Sequence, residues 1–155
     1  MMRTVQLAVA DARARGLDLE LRAVDDRESE VIAANAAAEL VADPSVIAVI
    51  GHKNSGPSGA AGPVYAQAGL AQITQCSTDN ALSRAGWPTF FRLCADNERQ
   101  ASIAADLAYS LHPSGSTVAV HDGTDYGRPL VEAFATRLQA LSCREIGRAS
   151  CRERV

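Results

Sequence analysis

The chain has 155 residues, 47% of them hydrophobic and 21% charged, enough to bury a core of its own and unlike a disordered tail. A net charge of −3 and only 5% aromatic residues provide neither a basic footprint nor a stacking platform for nucleic acid. No apolar stretch approaches the roughly 18 residues of a membrane span.

Val5 to Arg15 is alanine-rich and sets Val5, Ala8, Val9 and Ala12 on one helical face, with Gly16 where a left-handed cap belongs. Leu17, Leu19, Leu21 and Ala23 alternate with Asp18, Glu20 and Arg22, which predicts a half-exposed strand closed by Asp25-Asp26. Ser29 caps a second helix reaching about Ala42, with Val31, Ile32, Asn35, Ala36 and Leu40 on related faces and Asp43-Pro44 as its stop. Val46 to Ile50 is apolar without alternation, the pattern of a strand buried on both faces of a parallel sheet.

The loop His52 to Ser58 then offers hydroxyls and backbone N–H groups ahead of a short helix that starts after Ser58, runs to about Ala68 and ends at Gly69. Leu70 to Thr74 is the next strand and opens into Gln75-Cys76-Ser77-Thr78, followed by one helical turn and the short run Phe90 to Leu93. This alternation implies an α/β, doubly wound parallel sheet with helices on both faces. Near residue 96 the pattern changes: a new helix begins with Asn97 as N-cap and Ala101, Ala104, Ala105, Leu107, Ala108 and Leu111 on its apolar face. Thr117 to Val120 reads as a buried strand, His121 to Gly127 as a polar loop, and Arg128 to Leu141 as a helix carrying Leu130, Phe134, Leu138 and Leu141 inward. From Glu145 the string EIGRASCRERV keeps neither period and resembles translated sequencing adapter. Residues 145–155 are therefore expected to be non-native and to have no place in the fold.

The cysteines Cys76, Cys94, Cys143 and Cys151 show no spacing suited to zinc, so no metal and no cofactor is expected, and Cys76 and Cys94 read as packing residues. Gly51 to Gly56 lacks the glycine-lysine-hydroxyl ending of a phosphate loop. His52 and His112 have no evident partners, and the pair His121-Asp122 reads as loop chemistry. Ser55 without a surrounding G-x-S-x-G makes a hydrolase a remote alternative, so the chain is not expected to be an enzyme.

Through GHKNSGPSGAAGPVYAQAGLAQIT, then ST, FFRLC and HDGTDYG, the chain resembles the type 1 periplasmic-binding-protein family, in its branched-chain amino acid branch. The resemblance covers Val5 to Leu141 and implies a two-lobed fold closing on a small ligand. It implies residues 1–95 as most of lobe 1, without the family's first strand, and 96–144 as the start of lobe 2, so that the fold is incomplete at both ends. By position, Ser55 matches the serine that holds a ligand α-carboxylate, and Cys76 a residue whose carbonyl takes the α-ammonium. Thr78 matches the threonine touching both groups, with Ser77 beside it, and Tyr126 the aromatic that closes from lobe 2. Asn97 stands where an aspartate is common. The implied role is an extracytoplasmic or periplasmic substrate-binding protein, with or without a lipid anchor. It would bring a branched-chain amino acid or related zwitterion or amide to the membrane permease of an ABC importer. An amino acid or amide sensor of the same fold is the alternative.

Overall fold

The computed structural model describes residues 2–113, 115–141 and 144–150. Cys143 and residues 151–155, Cys151 among them, lie outside the described residues. The order of elements is α1 (Met2–Ala14), α2 (Glu30–Val41), β1 (Ala48–Ile50), α3 (Ser55–Ala68), β2 (Ala71–Thr74), α4 (Asn80–Arg84), β3 (Phe90–Arg92), α5 (Asn97–Leu111), β4 (Ser116–His121), α6 (Gly127–Ala140) and β5 (Arg144–Ser150). One sheet runs β1-β2-β3 and the other pairs β4 with β5, and every pairing is parallel.

The helix ends follow local chemistry. Gly16 has φ +87° after α1, as its place in the sequence predicts. Ser29 Oγ accepts from Ile32 N at 3.4 Å at the head of α2. α2 buries Ala33, Ala36, Ala37 and Leu40, while Val31 is exposed, so its inner face is turned from the one the sequence suggested. That face meets α3 through small side chains, and Ala33, Ala37, Ala61 and Tyr65 form a core cluster packed on by Val49 and Leu70. α5 is capped by Asp96, whose Oδ1 accepts from Arg99 N at 2.8 Å, and not by Asn97, whose side chain is buried. A separate core cluster is formed by Leu138 and Ala105 with Phe134 against them, whereas Leu107 and Leu111 of α5 are exposed.

Three expectations are corrected. Leu17 to Ala23 is not a strand, because no described strand pairs with it. β1 and β4 are half-exposed instead of buried on both faces: Val49 packs on the helices while Ile50 is exposed, and Val118 and Val120 are exposed on β4. Register sets Ile50, Ile73 and Phe91 in one row, with Ile50 and Phe91 exposed, while α2 and α3 cover the other side. Finally, the backbone of 145–150 does find a place, as part of β5 beside β4. Ladder hydrogen bonds use only backbone groups, so the polar side chains there left no trace of it in the pattern.

Candidate ligand-binding site

Parallel pairing brings the carboxyl ends of β1 and β2 to one edge, where the loops after them meet. The first loop leads into α3 earlier than the sequence suggested: Ser55 is already helical, with Pro57 tolerated in the first turn because that position needs no N–H. The N–H groups without intrahelical partners at this end therefore belong to Ser55 and Gly56, and the helix dipole adds positive potential there. The second loop is pinned from below. Thr74 Oγ1 donates to the His52 carbonyl at 2.9 Å and accepts from Ser77 N at 3.0 Å, and Ser77 Oγ also donates to that carbonyl at 2.9 Å.

A cavity of about 630 Å³ opens at this edge. Lys53 to Pro57 and Cys76 form one wall, Glu28 and Glu30 one end, and Asp122 to Tyr126 the facing side. Ser55, Cys76 and Tyr126 thus share one cavity. Ser55 is 4% exposed and its Oγ accepts from Asp79 N at 3.3 Å, whereas Cys76 and Tyr126 are open to solvent. Ser77 does not line the cavity. It is fully buried, its Oγ 2.6 Å from Ser58 Oγ, and braces the two loops. Thr78 lies next to the wall, 5% exposed, with its hydroxyl lacking a partner among the described residues and its carbonyl accepting from Asn97 N at 2.8 Å. An unpaired buried hydroxyl costs stability unless something supplies a bond.

Sequence reasoning missed the residues that hold the loops. Asn97 Nδ2 donates to the Tyr126 carbonyl at 3.3 Å, tying the facing loop to the start of α5. His52, read as partnerless, has Nδ1 2.6 Å from Asp26 Oδ2 and Nε2 3.3 Å from the Tyr65 hydroxyl. With both ring nitrogens taken, it is not a base for Ser55. His52 follows β1 and Asp26 follows the alternating run Leu17 to Ala23, and the meeting of two such run ends was the available signal.

Carboxylates dominate the lining. Glu28, Glu30, Asp122 and Asp125 face a single cation, Lys53, whose Nζ is 4.0 Å from Glu28 Oε1. This lining favours a ligand ammonium, and the head of α3 offers N–H donors with Glu30 Oε1 and Asp125 Oδ2 beside it, 2.8 and 3.5 Å from where a Cβ on Gly56 would stand. Among the described residues no cluster could hold a metal ion, and no helix is long and apolar enough to cross a membrane.

Burial, aided by the Asp26 carboxylate, pushes the Tyr65 phenol from 10.0 up to about 12. Between those pH values the unfolded chain releases a proton that the folded one keeps, so stability falls as pH rises. Wild type should lose about 2 kcal/mol between pH 10 and 12 and Tyr65→Phe should not, as urea unfolding across that range would show. The Cys94 thiol is likewise raised by burial.

Residues 1–147 match the family described as receptor family ligand binding region. The chain is 30% identical to an amino acid binding protein of Pseudomonas aeruginosa over 84% of its length and 35% of that protein's. It is 30% identical to a Leu/Ile/Val-binding protein homolog 2 of Brucella abortus over 92% of its length and 39% of that protein's. It therefore spans little more than a third of these relatives. A solved ABC transporter substrate-binding protein of Desulfitobacterium hafniense in complex with Leu superposes with a TM-score of 0.83 at 26% identity, covering 94% of this chain and 44% of that one. A leucine binding protein of Thermotoga maritima gives 0.76 at 28% identity, covering 83% and 37%. These neighbours have the type 1 periplasmic-binding-protein fold and are binding proteins, not enzymes. With the match running through nearly the whole chain and the ligand edge of its sheet, the chain belongs to the family of receptor ligand-binding regions.

Proposed function

We propose that the chain is the ligand-gripping part of an extracytoplasmic substrate-binding protein of an ABC importer, taking a branched-chain amino acid or a related small zwitterion or amide between two lobes. The observation that carries this is the cavity with the head of α3 and Ser55 on one side and Tyr126 on the other. A zwitterion needs donors for its carboxylate and acceptors for its ammonium, and both are present: the first-turn N–H groups and Ser55, then the carboxylates of Glu28, Glu30, Asp122 and Asp125. Thr78, with its unpaired hydroxyl, is proposed to gain a ligand bond, and the Cys76 carbonyl to accept from the ammonium. Ser77 supports the wall from behind. The leucine complex of the Desulfitobacterium hafniense neighbour supports the ligand class. Delivery to a membrane permease, a periplasmic location with or without a lipid anchor, and a lobe division near residue 96 belong to the same reading, as does a non-native origin for 145–155.

Calorimetry with leucine, isoleucine, valine and their amides tests it. Ser55→Ala and Thr78→Ala should each weaken leucine binding about tenfold, the loss of one hydrogen bond of roughly 1.4 kcal/mol to a charged ligand group. Variants that bind as tightly as the parent chain would remove these residues from the site.

A further inference from the structure

One residue that touches no part of the cavity organises the loops around it. The His52 carbonyl accepts from Thr74 Oγ1 and Ser77 Oγ, each at 2.9 Å, and with the Ser77 proton so used, Ser58 Oγ donates to Ser77 Oγ at 2.6 Å. The same Thr74 hydroxyl accepts from Ser77 N at 3.0 Å and Cys76 N at 3.4 Å. The path from His52 to the Cys76 backbone is thus two hydrogen bonds long. Its ring is fixed at both ends, by Asp26 Oδ2 at 2.6 Å and the Tyr65 hydroxyl at 3.3 Å. Asp26 divides its oxygens: Oδ1 accepts from Glu28 N at 3.0 Å and shapes the turn that carries Glu28 to the cavity, while Oδ2 takes the ring. Nδ1–H donates to that carboxylate, which leaves Nε2 to accept from the Tyr65 hydroxyl. His52 is 9% exposed, so these bonds form where water competes little.

We propose that His52, with Asp26 and Tyr65 as its anchors, is the positioning residue of this binding edge. The clamped ring fixes the direction of the His52 carbonyl. That carbonyl holds the hydroxyls of Thr74 and Ser77, and through them the loop carrying Cys76 and Thr78 stays in place opposite Ser55. The consequence for ligand binding rests on the cavity being the ligand site; the mechanical link between Asp26 and the Cys76 loop does not.

Amide hydrogen exchange on the full chain separates the two. Asp26→Ala and His52→Ala should each speed exchange at Cys76 and Ser77 about tenfold while leaving Ala61, in the middle of α3, unchanged. The double variant should also be about tenfold faster and not about a hundredfold, because both changes cut one linkage. Tyr65→Phe, which keeps the core volume, should give a smaller rise of roughly threefold at the same two amides. Exchange that rises equally at Ala61, or additive effects in the double variant, or no rise at Cys76 and Ser77, would overturn the proposal. Leucine calorimetry on the same variants should show a loss of about tenfold. A parent chain that does not bind leucine would sink the functional reading alone, since the exchange pattern still decides the role of His52.

Discussion

Gly62→Ala is expected to cost about 2 kcal/mol of stability, despite replacing a helix-interior glycine with the best helix former. A Cβ at residue 62 would stand 2.2 Å from Cζ3 and 2.5 Å from Cη2 of Trp87, distances at which the indole or the helix must move. The ring meets Phe90 edge-on, with centroids 6.3 Å apart, so making way for the methyl would break that contact or turn the ring into the cavity it lines. Overpacking of this kind costs roughly 3 kcal/mol at the upper end of its usual range, and the gain in helix propensity returns only about 1. Gly59 provides the control. The same added methyl there meets Leu82 Cδ2 at 3.6 Å, an ordinary contact, so Gly59→Ala should be neutral or stabilising by up to about 1 kcal/mol. Urea unfolding of the two variants should move the midpoint in opposite directions. If both moved alike, Trp87 would not be seated on α3.

Asn97→Asp should be damaging for a different reason, one of polarity at constant shape. Asn97 is 1% exposed, and its Nδ2 donates to the Tyr126 carbonyl at 3.3 Å. An aspartate, the residue common at this place in the family resemblance, would set a buried carboxylate against that carbonyl with no donor between them. The lost bond and the burial of charge together cost about 3 kcal/mol, while a negative charge in the first turn of α5 recovers up to about 1. A net loss near 2 kcal/mol is expected at pH 7. It should shrink as the pH falls from 7 toward 4 and be largely gone below about 4, where the carboxyl is protonated in both the folded and the unfolded chain and can donate. Unfolding at pH 7 and pH 3.5 measures both. Because the bond holds the Tyr126 loop, leucine affinity should fall as well, whereas equal stability at pH 7 would show that the carbonyl needs no donor from residue 97.

What could be read from the sequence was what depends on neighbours along the chain. Ser29 caps α2 through its own hydroxyl, Gly16 ends α1 and Gly69 ends α3, each a local decision. Glycine and proline after Ser55 read as loop residues, yet Pro57 fits the first turn of a helix that already includes Ser55. Coverage of a strand is another matter. Val46 to Ile50 has the composition of a doubly covered strand, but whether a second layer lies over Ile50 depends on elements far away in sequence. The alternation of Leu17 to Ala23 is real as a pattern and still yields no strand, since a ladder needs a partner.

The site divides in the same way. Loop position brings Ser55, Cys76 and Tyr126 to one cavity. Ser77 and Thr78 lie next to each other in the chain, and only packing decides that the first braces His52 while the second keeps an unpaired hydroxyl. The 26-position separation of Asp26 and His52 hides a contact that no periodicity encodes.

The half-bare sheet has a practical consequence. Among the described residues β1 is hydrogen-bonded on one side only, and Ile47, just before it, and Ile50, its last residue, are 73% and 55% exposed. From Val46 to Ile50 there is no charge, proline or glycine to discourage a second chain from adding a strand. Self-association through this edge grows with concentration, whereas folding within one molecule does not. Recovery of soluble chain is therefore expected to rise on dilution and with Ile47→Lys, which puts a charge beside this edge at a residue that does not line the cavity.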